Sequence, residues 1–402
     1  MRLCFYKLSA IAVAMSMTPA LATNSSSAID TIQPVEVYQN SPIQDAFTPK
    51  NPSSDTRIDY AHWDEALTYL VIPMGPSTRE GAPTVQANLG TRRIYGHRSR
   101  YRLEGNRVAF SFLNEDLKLA LADYRRDLEM VGTSINLSNL ARNEQLAFWI
   151  NLHNVAVIEA IAQAYPMSQP SRAQFGPNMV GLDDAKLVTI KGIRLSPRDI
   201  RERIVYPNWT DPKVIYGFFR GEIGGPSIQR LAYTGSNIDQ LLSLSAEEFV
   251  NSLRGVEKTG QTLRVSRVYE EAAPFYFADW QALRMHLQSY ARDDVKHLLE
   301  RTSRTKVNYY EDDLADLAFG DSDPGLNQFA TLADPSGADR RFRSYEPRSS
   351  INPGGKIDPA IQRFMIERTA KLKKVFKRGL RTGTVIYGGD PDQARDEAAE
   401  VE

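Results

Sequence analysis

One cysteine, Cys4, stands among 402 residues, so neither a disulfide framework nor a thiolate metal site is available to the chain. Charge of one sign is equally missing. The 49 Lys and Arg residues balance 49 Asp and Glu, which excludes a whole-chain field that would recruit nucleic acid. No stretch approaches the ~20 consecutive apolar residues of a membrane-spanning helix. The five histidines, His62, His97, His153, His286 and His297, never stand four apart, and no metal is expected from them. Gly-x-Ser-x-Gly, Gly-x-x-x-x-Gly-Lys and Gly-x-Gly-x-x-Gly are all absent, so no serine-hydrolase elbow, nucleotide or other cofactor is read from the chain. What is present, 42% apolar and 24% charged residues, is the composition of a folded polypeptide with a sizeable core.

The chain opens with Arg2 and Lys7, an apolar stretch from Leu8 to Met15, and the small-x-small triplet Ala20-Leu21-Ala22. This pattern predicts a signal peptide over residues 1–22, cleaved after Ala22. The expected location is the periplasm or the medium. The mature chain would carry no cysteine, with 47 basic groups against 49 acidic ones. Residues 23–57 are rich in Ser, Thr, Asn and Pro and read as a flexible leader.

Residues 58–320 read as an α+β domain, mostly helical with short mixed strands. Tyr60, Trp63, Leu67 and Leu70 recur at helical spacing, as do Leu117, Leu121, Tyr124 and Leu128,. Residues 107–112 and 214–219 read as strands, 187–195 as a hairpin turning at Lys191-Gly192, and 238–253 and 280–302 as helices. Beyond Asp321, repeated Pro-Gly and Pro-Ser-Gly breakers predict a mobile tail over residues 321–402. Within it, residues 361–381 carry eight basic side chains against Glu367 alone, with Ile361, Phe364, Met365, Leu372, Val375 and Phe376 on one face. Such a basic amphipathic helix suits an anionic membrane surface, or docks on the domain by its apolar side.

Two segments invite chemistry. Residues 141–164 are apolar nearly all round, so this helix should be central and buried, and Asn151 and Asn154 on it must find hydrogen-bond partners on an incoming loop. An unpaired buried amide would cost about 1 to 3 kcal/mol. His153 is the one histidine whose context invites a role as general base, against the alternative of a satisfied core histidine. The second segment, residues 220–226, ends a strand-like run with three glycines that permit close approach by a ligand or another chain, while Arg220 and Glu222 present charge there. Residues 309–313, Tyr-Tyr-Glu-Asp-Asp, read as a packing feature.

The run Ala147-Phe148-Trp149-Ile150-Asn151-Leu152-His153-Asn154, then Tyr165-Pro166, Leu195-Ser196, Asp199-Ile200, Asp211-Pro212, the Gly-Pro loop, Ala232-Tyr233-Thr234-Gly235 and Phe249-Val250-Asn251 resemble the bacterial domain-of-unknown-function family 547, over roughly residues 130–285. The resemblance implies a fold and an exported setting, with no established activity. It further implies cysteines at two positions held here by Arg220 and Gly225, so this chain would belong to a subgroup lacking the thiol before the loop proline. A thiol-dependent hydrolysis with His153 as base would then be closed to it.

The leading expectation is an exported protein that binds an envelope ligand or protein partner through Trp149, Asn151, Asn154, Arg220, Gly224 and Gly225. The competing one is a hydrolase or transferase acting on an envelope component, with His153, Glu144 and Glu222 as acid and base groups. A structural adaptor whose basic tail contacts membrane is the third.

Overall fold

The computed structural model describes residues 42–50, 52, 54–84, 96–320 and 358–380, all within the unit that runs from Ile32 to Glu402. The expected signal peptide, residues 1–22, lies outside the described residues, as does the leader up to residue 41. In chain order the helices are α1 (Pro42–Phe47), α2 (Ala61–Leu70), α3 (Glu115–Ser134), α4 (Arg142–Ala164), α5 (Ile238–Val250), α6 (Arg267–Tyr276), α7 (Trp280–Tyr290), α8 (Asp293–Glu300) and α9 (Pro359–Lys377). The strands are β1 (Val71–Ile72), β2 (Arg107–Val108), β3 (Val188–Ile190), β4 (Ile193–Leu195), β5 (Val256–Thr259), β6 (Thr262–Val265) and β7 (Arg304–Val307). They form three small sheets: β1 with β2, β3 with β4, and β5-β6-β7, antiparallel except for the β6–β7 pair. The architecture is α+β, as the sequence predicts.

Helix α4 organises the rest. It runs 23 residues without Gly or Pro, begins with Glu144 in its first turn, and stops at an extended Tyr165 because the following proline disfavours the helical conformation there. From Glu144 to Ile158 every side chain is buried, so other elements must cover it on all sides. Helix α3, capped by the Asn114 side chain on Leu117 N (2.9 Å), packs along one flank. The β3–β4 hairpin closes on α3, with Thr189 N donating to Glu129 and Lys191 N to Thr133. Its turn places Lys191 and Gly192 at φ of 50° and 77°, the conformation a two-residue hairpin needs.

Two sequence expectations require correction. Residues 214–219 are not a strand but the continuation of a 3₁₀ helix over Pro212–Gly217, with the Asp211 side chain accepting from Lys213 N. Asp211-Pro212 is a helix start, a capping carboxylate followed by proline at the first helical position, and among the described residues no strand pairs with this backbone. Residues 107–112 are strand only at Arg107–Val108, followed by a 3₁₀ turn over Phe110–Phe112. Of the expected leader and tail, the described residues include α1 and α9, and both bury apolar side chains. Helix α1 buries Ile43 and Phe47, with Phe47 edge-on to Trp149.

Helix α9 closes a second apolar cluster. Ile361, Phe364 and Met365 meet Ile72, Met74, Leu103, Phe112 and Leu317. Buried cations on the same helix find carbonyls or carboxylates: Arg368 Nε donates to Pro73 O (2.8 Å), Lys371 Nζ to Leu103 O (2.7 Å), and Glu367 accepts from Arg102. Burial pulls the Lys371 ammonium down to about 8, against the pull of Glu104 and Glu248. The apolar face noted in the sequence is thus turned inward, except at its last turn, where Phe376 is 84% exposed. Phe364→Ala should cost about 3–5 kcal/mol of unfolding free energy and Phe376→Ala less than about 0.5. Urea titrations of the two variants check this, and equal effects would argue against the docking.

Candidate functional site

Asn151 and Asn154 project from α4 onto two incoming segments. Asn151 donates to Tyr233 O (2.7 Å) and accepts from Tyr233 N (3.0 Å). Asn154 donates to Gly217 O (2.9 Å) and accepts from Phe219 N (3.0 Å). Each side-chain amide thus replaces the neighbouring strand that these buried backbone groups would otherwise need. Trp149 is buried in the core between Phe47 and Phe148.

His153 sits at the inner end of a polar chain. Arg201 Nη1 donates to its Nε2 (3.2 Å), which fixes the ring proton on Nδ1, and Nδ1 donates to Asn154 Oδ1 (3.1 Å),. Burial, reinforced by the Arg201 charge, lowers the imidazole to about 3. The ring is therefore neutral near pH 7, and its lone pair is directed at Arg201. Arg201 in turn grips Asp183 with both terminal nitrogens, at 2.7 and 2.6 Å. Although burial opposes it, the Arg201 guanidinium holds the Asp183 carboxyl far below the usual carboxylate range.

The loop of residues 220–226 adjoins this chain. Arg220 pairs with Glu271, which also accepts from Arg267 Nε (3.1 Å), and the Arg267 guanidinium lies 4.0 Å over the Tyr310 ring. Arg201, Arg220, Glu271 and Asp183 act on one another electrostatically, and Tyr206 feels both arginines and Glu271. A short π-helical segment, Asp199–Val205, delivers Arg201, and Tyr206 caps it. Such wide turns recur at functional positions. Within this cluster Arg201 Nε, Arg220 Nε and the Tyr206 hydroxyl are buried and have no hydrogen-bond partner among the described residues.

The chain itself fills the close approach that the loop glycines permit. Ile223 N donates to Asp313 O and Gly224 N to Glu311 O, both at 2.9 Å. A Cβ on Gly224 would lie 2.7 Å from Glu311 N, and Gly221 adopts a φ of +79° hard against Ile161, so neither position admits a side chain. Glu222 is buried, accepts from Ser171 N (3.0 Å), and is pushed up to about 7 by burial, with Asp312 adding to the shift.

The three acid–base candidates do not converge. Glu144 accepts from Gly235 N (3.0 Å) and stands about 13 Å of helix rise before His153. Glu222 is tied instead to Ser171 N. The structure instead joins His153 and Arg220 through Arg201, Asp183, Tyr206 and Glu271, none of which stands out in the sequence. Their separation along the chain hides them, and the one local signal was Asp199-Ile200 beside Arg201. Among the described residues no three His, Cys, Asp or Glu side chains gather to hold a metal, and no helix is long and apolar enough to cross a membrane.

An α+β scaffold built around this braced helix defines the class. Residues 137–250, from the turn before α4 to the end of α5, match the family described as "Protein of unknown function, DUF547", so the chain carries a DUF547 region as the resemblance implied. No curated protein and no solved structure matches it.

Two predictions follow from this geometry. A Cβ placed on Gly225 would stand 3.4 Å from Arg220 Cβ, at the short edge of disulfide geometry. The double substitution Arg220→Cys with Gly225→Cys should therefore oxidise without added catalyst, read as loss of both introduced thiols in the unfolded protein. Retention of both introduced thiols, over and above Cys4, would contradict the geometry. The second concerns pH. Unfolded His153 binds its proton below about 6.5, whereas the folded ring does so only near 3. The stability it contributes is therefore full above about 6.5 and lost as pH falls toward 3. Glu222 acts in the opposite direction, its contribution being present below 4.5 and lost as pH rises through about 7. Urea unfolding from pH 4 to 8 should show a flatter acid limb in His153→Gln, and Glu222→Gln should gain stability relative to wild type as pH rises.

Proposed function

We propose that the chain is an exported binding protein for a small anionic ligand of the cell envelope, seated where loop 220–226 meets the Arg201–Asp183 pair. The observation that carries this reading is the surplus of buried donors. Among the described residues Arg201 Nε, Arg220 Nε and the Tyr206 hydroxyl lack acceptors, while Asp183 and Glu271 already hold the two guanidiniums by their other nitrogens. Three such donors gather in this one cluster, and a carboxylate or phosphate supplies the missing oxygens in a geometry that arginine favours. Asp183 and Glu271 are partly exposed, so the cluster reaches solvent at its rim. Export rests on the pattern of residues 1–22.

A hydrolase or transferase is the second reading. Glu222 supports it, because a carboxyl near 7 can donate or accept a proton at neutral pH. His153 lends it little as a base, with its lone pair occupied and its affinity for protons low.

Melting of the purified protein in inorganic phosphate or acetate, against sodium chloride at matched ionic strength, tests the binding reading. Phosphate or acetate should raise the Tm as its concentration increases, by linkage to the native state. Tyr206→Phe removes one unpartnered hydroxyl and keeps the ring. It should leave the ligand-free Tm equal or higher and diminish the anion-dependent rise. An identical Tm in all three salts, or a rise that Tyr206→Phe leaves intact, would reject the site.

A further inference from the structure

A cleft of about 490 Å³ lies on the other side of the 309–311 segment, away from the ionic cluster. Its volume falls in the range of small-molecule sites. The floor is the β5–β6 hairpin, where Glu257 stands opposite Arg264 in register, and the walls are residues 99–101 and 308–311. These walls are anchored: Asn308 N donates to Val265 O (2.7 Å), and Glu311 O receives Gly224 N.

We propose that this cleft binds a neutral saccharide. No aliphatic side chain lines it, and polar and apolar surface contribute about equally, which suits a ligand that presents both C–H faces and hydroxyls. Two arginines, Arg100 and Arg264, face two acids, Glu257 and Glu311, so neither an anion nor a cation finds an excess of opposite charge. Glu257 is held from several directions, accepting from Tyr101 Oη (2.9 Å) and pairing with Arg100 (2.8 Å), with Asn308 Nδ2 donating to Tyr101 Oη (3.3 Å). Beyond these mutual bonds, the carboxylate, guanidinium and amide groups of the lining keep further acceptor and donor positions for a ligand of many hydroxyls,. At the mouth, Tyr309 is 67% exposed. An aromatic ring in that position offers an apolar face to the C–H side of a sugar ring and a hydroxyl to its edge.

Calorimetric titration of the full chain with maltotetraose, cellotetraose and tetra-N-acetylchitotetraose tests the proposal. At least one should bind saturably. Tyr309→Ala should weaken that binding roughly three- to tenfold without lowering the Tm, because the ring is largely in solvent, and Asn308→Ala should weaken it independently. Tyr206→Phe should leave it unchanged, which separates this site from the anion site. No saturable binding of any of the three sugars would overturn the proposal, as would binding that Tyr309→Ala leaves intact, or binding of an uncharged polar tetrapeptide in their place.

Discussion

A helix buried on every side leaves its polar residues no solvent to face, and two asparagines on α4 turn that constraint into the joint on which the rest depends. Asn151 and Asn154 each present one donor and one acceptor to a single backbone segment. They hold residues 217–219 and 233 against the helix with no sheet to do so. Removing either amide would strand two backbone groups in the interior, and such groups are costly without partners. The position of the loop after residue 219 follows from this bond. Because Asn154 fixes Phe219, the next residue, Arg220, leaves the helix surface at a set point and meets Glu271.

The second layer of constraint is ionic. Arg201 reaches inward to His153 and outward to Asp183, so one guanidinium connects the neutral core to a half-exposed carboxylate. Buried ion pairs of this kind contribute little net stability, yet breaking one leaves an uncompensated charge. They therefore fix geometry more than they hold the fold together. The main-chain bonds from Ile223 and Gly224 to residues 313 and 311 complete the frame, and they explain the glycines better than an approaching ligand does. A side chain at 224 would collide with the backbone of Glu311.

Much of this frame was legible in the sequence, because it rests on periodicity and turn chemistry. The apolar girth of α4, the Lys191-Gly192 turn and the amphipathic α9 are local patterns, and the need of Asn151 and Asn154 for partners follows from burial alone. The 3₁₀ helix at 212–217 was misread because Val214, Ile215, Tyr216 and Phe218 have the composition of a strand, and composition reports burial as much as conformation. Asp211-Pro212 was the better guide. Helix α6 went unread because Pro274 lies inside it. Proline is usually excluded from a helix interior, but here it falls in the final turn. Of the ionic cluster only Arg220 drew notice, and its partners could not be read, since Asp183, Arg201, Glu271 and Tyr310 come from separate segments and no spacing links them to it.

The segment of residues 309–311 ties these levels together. Tyr310 turns inward beneath Arg267 and toward Arg220 and Glu222, while Tyr309 and Glu311 line the cleft on the opposite side. Alternate residues of an extended stretch point to opposite faces, so three residues suffice to border both places. The same stretch is bonded to the glycine loop through Gly224. The loop of residues 220–226 is therefore the element on which this segment is seated. The glycines that first suggested a ligand loop thus have a different physical role: they let two main chains touch, and the polar groups available for recognition stand on either side of that contact.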